Sequence, residues 1–253
     1  MKLRENLDRD VSLITAWSTS PSLEIAGALA ACPFDAVTVD MQHGGHDEGS
    51  AFASMRLIHA RGKPGLLRIP VGRNDLASRA LDMGFEAVIA PMVNSVADAQ
   101  EFADAMKYPP LGNRSWGPMR ALELHSQDTP ESYFKSANRK TLAIAMIETR
   151  EAFAALDDLL SVEGIDGVFV GPSDLSISWS GGEGVDPKRP DMQDALADIA
   201  KRTREAGKFA AIFAVDPAST PLYVRMGYRL TALNTDPGVI NAGAALMLEM
   251  ARG

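Results

Sequence analysis

The sequence predicts a single-domain (β/α)8 TIM barrel, and three observations carry that prediction. Short apolar runs alternate with longer helical patterns from one end to the other, eight such pairs can be counted, and glycines fall where helices should stop. The strand candidates are 11–17, 35–40, 65–69, 86–90, 142–147, 166–170, 208–214 and 229–233. Each is near-continuously apolar, as expected of a parallel sheet covered by helices on its outer face. The helical patterns between them are 22–31, 48–61, 74–83, 96–106, 150–160, 192–206, 218–226 and 239–251. Gly84, Gly207 and Gly227 stand just before strands, where a helix commonly ends on a left-handed residue. Eight β/α units either close into a barrel or open into a doubly wound sheet. No Gly-x-Gly-x-x-Gly follows the first strand, which disfavours the dinucleotide-binding sheet and leaves the barrel.

A chain of 253 residues suits one such barrel, and 46% hydrophobic residues supply its core. The net charge of -8 provides no basic face for nucleic acid, although a small anion could still bind to local charge. The single cysteine, Cys32, lies in an Ala-rich stretch read as helix and is expected to be a small core filler. One cysteine cannot close an internal disulfide, which fits a cytoplasmic setting. Residues 1–10 are charged and lack an apolar h-region, so no secretory signal is expected. No apolar run approaches the roughly 20 residues of a membrane span. Two segments break the rhythm: a long connection at 108–138, rich in Pro, Gly and Arg, and a polar insert at 178–191. Loops of that length are lids, interface elements or disordered segments.

In a barrel the reactive groups gather at the C-terminal ends of the strands. Strand 2 ends in Asp40-Met41-Gln42-His43-Gly44, strand 3 delivers Arg68, strand 5 ends in Glu148, and strand 6 runs into Gly171-Pro172-Ser173-Asp174. An ionised carboxylate against apolar walls is costly unless paired or bound to metal. Glu148 and Asp174, without a Cys or His cluster beside them, suit a hard cation such as Mg²⁺ or Mn²⁺; a salt-bridge pair with loop Lys or Arg residues fits equally. His43 follows Asp40 by three positions, a spacing at which the acid could orient the imidazole for general-base work; a structural histidine is the bland reading. His46, just downstream, has no matching acid before it, and His59 and His125 read as structural or solvated. Arg68 interrupts an apolar strand and calls for an anion, either a substrate carboxylate or enolate, or an internal partner in Asp82 or Asp40. Lys208 stands at the start of strand 7, on the wrong face for catalysis.

The runs FDAVTVDMQHG, LLRIPVG, LDMGFEAVIAPMV, YPPLGNRSWGP, MIETREA and VEGIDGVFVGPSDLS, in this order over nearly the whole chain, resemble the class II metal-dependent pyruvate aldolases of the HpcH/HpaI type. The resemblance implies that Glu148 and Asp174 bind a divalent metal (Mg²⁺ or Mn²⁺, possibly Co²⁺) on which pyruvate chelates. It further implies that N–H groups around Ser173 and Asp174 hold the pyruvate carboxylate and that Arg68 stabilises the enolate. His43, oriented by Asp40, would move the proton at the aldol hydroxyl, and Asp82 would support Arg68 and the dyad. The implied reaction is reversible cleavage of a 4-hydroxy-2-oxo acid into pyruvate and an aldehyde, with no Schiff-base lysine.

The segment with Arg114, Trp116 and Arg120 resembles one that reaches a neighbouring subunit's site, so Trp116 and Arg120 are expected to contact substrate. A homo-oligomer follows, a trimer or hexamer, with the apolar stretch 239–250 packing on a partner. One departure is Gln42, where many relatives carry glutamate. A 2-oxo-diacid decarboxylase, an acyl-coenzyme A lyase and a non-catalytic pyruvate-binding barrel remain as alternatives.

Overall fold

Strands this apolar must be covered on both faces, and the chain does so by pairing each strand in parallel with the next and closing the last onto the first. The computed structural model describes residues 2–9, 11–125 and 128–253. Positions 1 and 10 of the stretch read for a secretory signal, and 126 and 127 of the long connection, lie outside the described residues. The strands are β1 (Leu13–Ser18), β2 (Ala36–Asp40), β3 (Gly65–Arg68), β4 (Ala87–Ala90), β5 (Leu142–Ile147), β6 (Gly167–Val170), β7 (Phe209–Ala214) and β8 (Leu230–Thr235). All eight predicted strands are present, each within two residues of its expected bounds.

The helices are α1 (Lys2–Asp8), α2 (Leu23–Ala31), α3 (Glu48–Ala60), α4 (Asn74–Asp82), α5 (Val96–Met106), α6 (Met119–Leu124) and α7 (Pro130–Lys140). They continue with α8 (Arg150–Ala154), α9 (Leu156–Ser161), α10 (Pro172–Trp179), α11 (Pro190–Glu205), α12 (Thr220–Met226) and α13 (Asp236–Arg252). Several begin on side-chain caps: Asp47 before α3, Ser95 before α5 and Thr129 before α7 each close a reciprocal capping box. The pattern predicted at 150–160 is two short helices, α8 and α9, meeting at Ala155.

Side-chain alternation sorts each strand into an inner and an outer set. Trp17, Ala36, Leu66, Ile144, Met146 and Phe169 fill the barrel interior, while Val37, Val39, Leu67, Val88 and Val168 pack outward against helices. Continuing the inner parity by one step beyond the apolar layers reaches Asp40, Arg68, Glu148 and Gly171. The strands themselves therefore deliver the polar site to the barrel mouth.

Two expectations need correction, and one element was not anticipated. The connection at 108–138 holds two helices, because Pro130 at the first turn and the Thr129–Ser132 capping box nucleate α7, and Met119–Leu124 forms α6. The charged N-terminus also contains a helix, α1, whose Leu3 and Leu7 join the interior cluster and plug the barrel floor. Cys32 is the half-buried C-cap of α2, past its last helical residue, so it fills no core position.

Candidate active site

A pocket of about 370 Å³ opens at the C-terminal end of the strands, lined by Asp40, His43, Arg68, Glu148, Ser173 and Asp174 together with Trp17, Thr19, Met146, Phe169, Gly171, Pro172, Phe213 and Thr235. No lysine lines it. Lys208 lies at the opposite end of the barrel, where its Nζ donates to the Val162 carbonyl.

Asp40 and Arg68 are register partners on β2 and β3. The Arg68 Nε donates to Asp40 Oδ1 at 2.9 Å and a terminal nitrogen to Oδ2 at 2.6 Å, a two-pronged fork. The Trp17 indole N–H donates to the same Oδ2 at 3.2 Å, and the Trp17 ring lies 4.9 Å below the guanidinium carbon. Burial alone would raise the Asp40 carboxyl; the Arg68 hydrogen bonds and charge, with the Gln42 and Trp17 donors, hold it below the usual carboxylate range. Of the two internal partners open to Arg68 in the sequence, the structure selects Asp40.

That pairing revises the expected dyad. Asp40 accepts the backbone N–H of His43 at 3.3 Å, and its carboxylate is otherwise committed to Arg68, Gln42 and Trp17. Asp40 thus shapes the turn that carries His43 and forms no hydrogen bond with its ring. The His43 side chain is exposed at the pocket rim. His46, by contrast, is buried between Ser18 and Ser50, at 3.1 and 3.2 Å, and burial pulls it below the ordinary histidine value.

Glu148 is 2% exposed and its Oε2 accepts the Met92 N–H at 2.9 Å. Met92 takes the left-handed region, φ 54°, to present that N–H. Burial pushes the Glu148 carboxyl up to about 7; the Asp174 charge adds to the rise, and the Met92 N–H and Arg68 oppose it. Gly171 stands one step beyond the Ile147–Val170 register pair, and a Cβ there would lie 2.6 Å from Glu148 Oε1. Only glycine leaves the carboxylate its place. Among the described residues neither Glu148 nor Asp174 forms an ion pair, so the salt-bridge reading of these two does not hold.

Two carboxylates from adjacent strands, one buried and electrostatically strained, form a donor set of hard oxygens that a divalent cation fits. The described residues contain no cluster of three or more His, Cys, Asp or Glu at metal-binding distance, so such an ion would keep positions for water or substrate. Next to it α10 starts at Gly171-Pro172. The Ser173 and Asp174 N–H groups lie in the first turn, where no helical carbonyl precedes them to accept.

Asp82, Trp116 and Arg120 do not reach this pocket. Asp82 ends α4 at the opposite face and binds Arg114 at 2.6 Å, so it supports neither Arg68 nor His43. Trp116 packs on Tyr108, Tyr133 and Phe134, and Arg120 pairs with Glu123 over Phe52. The reason is topological: this segment follows α5, which has already returned the chain to the N-terminal end of the barrel. Trp17 and Thr19, which line the pocket, and Met92, which holds Glu148 from outside its lining, were missed. The first two were within reach, since inward parity runs from Leu13 through Trp17 to Thr19; Met92 acts through its backbone, which residue type does not reveal.

Known proteins resemble this chain over nearly its whole length. The profile of the HpcH/HpaI aldolase/citrate lyase family matches residues 13–241. A hydroxypyruvate/pyruvate aldolase of Rhizorhabdus wittichii is 35% identical over 94% of each chain. A 2-keto-3-deoxy-L-rhamnonate aldolase of Klebsiella pneumoniae is 31% identical over 92% of this chain and 86% of its own. The crystal structure of an HpcH/HpaI aldolase/citrate lyase family protein from Burkholderia cenocepacia superposes with a TM-score of 0.88 at 28% identity, covering 100% of this chain and 99% of that one.

Proposed function

This chain belongs to the HpcH/HpaI aldolase/citrate lyase family, and on that premise we propose that it cleaves a 4-hydroxy-2-oxo acid reversibly into pyruvate and an aldehyde. The observation that carries the reading is the convergence of Glu148, Asp174, Arg68 and His43 on one pocket at the barrel mouth. Glu148 and Asp174 would hold a divalent cation, Mg²⁺ or Mn²⁺, with Co²⁺ also suited to the oxygen donors. Such a cation supplies Lewis acidity at the keto oxygen of the bound acid.

The chain's own groups do the remaining work. The Ser173 and Asp174 N–H groups bind the carboxylate of the oxo acid at the start of α10. Arg68, locked by the Asp40 fork, presents its charge to the oxygen on which negative charge develops as the carbon–carbon bond breaks. His43 takes the proton of the 4-hydroxyl in cleavage and returns it in synthesis; its exposed ring at the rim supports that role. Trp17, Met146, Phe169 and Phe213 form an apolar floor that keeps bulk water from the reacting carbons.

The pocket has one basic side chain besides His43, namely Arg68, which leaves nothing for the phosphates of coenzyme A. We also infer a homo-oligomer, a trimer or hexamer. α13 exposes Ile240, Leu246, Met247, Leu248 and Met250, and a neighbouring copy would both cover that face and receive Trp116 and Arg120 near its own pocket. Among the described residues no helix is long and apolar enough to cross a membrane. With a single cysteine, a cytoplasmic location fits.

The test is pyruvate release from a panel of 4-hydroxy-2-oxo acids, followed with lactate dehydrogenase and NADH. Steady release from at least one acid is expected. Binding of the acids without any pyruvate would leave a non-catalytic barrel.

A further inference from the structure

Thr19 lies one residue past β1, on the inward parity set by Trp17, and lines the mouth pocket. Its hydroxyl donates to Asp236 Oδ1, while Oδ2 accepts the backbone N–H groups of Thr19 at 3.1 Å and Ser20 at 2.7 Å. Asp236 opens α13 and is 1% exposed. A carboxylate serving three donors has no proton to give. The polarity of the Thr19 hydroxyl is thereby fixed: its hydrogen is committed to Asp236, and only lone pairs remain for the pocket. The Thr19 carbonyl meanwhile accepts the Gly45 N–H at 2.8 Å, joining this turn to the one that carries His43.

The position of Thr19 in the ring matters as much as its polarity. Strands follow chain order around the closed barrel, so β1 lies across from β5. Glu148 and Asp174 follow β5 and β6, and they fix the pyruvate portion on that side. Thr19, His43 and Thr235 follow or end β1, β2 and β8, and they border the half left for the aldehyde.

We propose that Thr19, oriented by Asp236, accepts a hydrogen bond from the hydroxyl on C2 of the aldehyde, so that the site selects 2-hydroxyaldehydes over unsubstituted ones. The inference rests on the aldolase reading and names the residue that sets its aldehyde preference. A hydroxyl entering this half of the pocket meets an acceptor it can satisfy; an unsubstituted aldehyde leaves that acceptor desolvated and unpaired.

The experiment is the condensation of pyruvate with lactaldehyde and with propanal, which differ by one hydroxyl. The ratio of the two kcat/KM values is measured for the wild type, Thr19→Val, Thr19→Ala and Thr19→Ser. The lactaldehyde-to-propanal ratio should fall about tenfold in Thr19→Val and Thr19→Ala, the scale of one neutral hydrogen bond, and return in Thr19→Ser. A ratio unchanged from wild type in the Val and Ala variants, including one in which both substrates decline together, overturns the proposal and leaves Thr19 as part of the α13 anchor. Absence of product from either aldehyde with wild-type enzyme is a different result: it removes the aldolase reading, and this inference with it.

Discussion

Arg68 is held side-on by Asp40 across adjacent strands, with Nε and a terminal nitrogen 2.9 and 2.6 Å from the two carboxylate oxygens and the Trp17 ring beneath. The pair is buried, Asp40 at 1% and Arg68 at 8% exposure, and each charge depends on the other. Asp40→Asn keeps the shape and leaves the guanidinium unpaired, a change that costs about 3 kcal/mol of stability in buried pairs. We expect kcat/KM to drop by about 10² to 10³ as well, because a guanidinium no longer aimed at the substrate oxygen loses its electrostatic contribution. Urea denaturation and steady-state kinetics on one preparation check both; Asp40→Asn with wild-type turnover would separate the pair from the chemistry.

Gly171 makes room for Glu148. The Cβ of Gly171→Ala would stand 2.6 Å from Glu148 Oε1 and displace the carboxylate. Divalent-cation affinity should weaken at least about tenfold, the range seen when metal-supporting positions are altered. Calorimetric titration with Mn²⁺ reads this directly, and unaltered affinity would show that Glu148 binds no metal from its observed position.

His43→Ala should reduce turnover by about 10² or more while leaving cation affinity unchanged, since the ring makes no hydrogen bond to another side chain among the described residues. Asp40→Asn is expected to differ in kind, because Asp40 touches the His43 backbone and the Arg68 side chain but not the imidazole. Equal effects of the two variants on the pH profile of kcat would restore the dyad the sequence suggested.

Acid should loosen the fold through His46, which is buried, and His125, which is half-buried. Burial, with the charge of His59 nearby, pulls His125 down to about 4 from 6.5, and burial lowers His46 too. The folded state keeps these rings neutral where the unfolded chain is protonated. Their contribution is therefore full above about pH 6.5 and is lost as pH falls, for His125 through the interval down to about 4. Thermal midpoints at pH 7.5 and 5.0 should show a decline that is smaller in His125→Asn; an identical decline would remove His125 as a contributor.

The sequence made the barrel legible because the apolar runs, the glycine stops and the even spacing all pointed to one topology. It also located Asp40, Arg68, Glu148 and Asp174, since charged residues at the ends of apolar strands have few other reasons to be there. It did not reveal how those groups pair. Whether Asp40 serves His43 or Arg68 depends on the β2–β3 register, which places Asp40 opposite Arg68. Asp82, Trp116 and Arg120 went astray for a related reason: chain position says little about which end of a barrel a residue occupies until the preceding helix is counted. α1 was overlooked because a single helical turn or two with scattered charges has no periodic signal, although Leu3 and Leu7 prove to be spaced for one buried face.

The proposed role of Glu148 and Asp174 is to make the barrel mouth a metal-dependent aldolase site. Its most direct test is one assay: pyruvate release by wild type and Glu148→Gln, each treated with EDTA and then titrated with Mg²⁺ or Mn²⁺. Wild-type release should vanish with chelator and return on titration, while Glu148→Gln should stay inactive at every metal concentration. Release that persists in EDTA, or a Glu148→Gln variant as active as wild type, would contradict it.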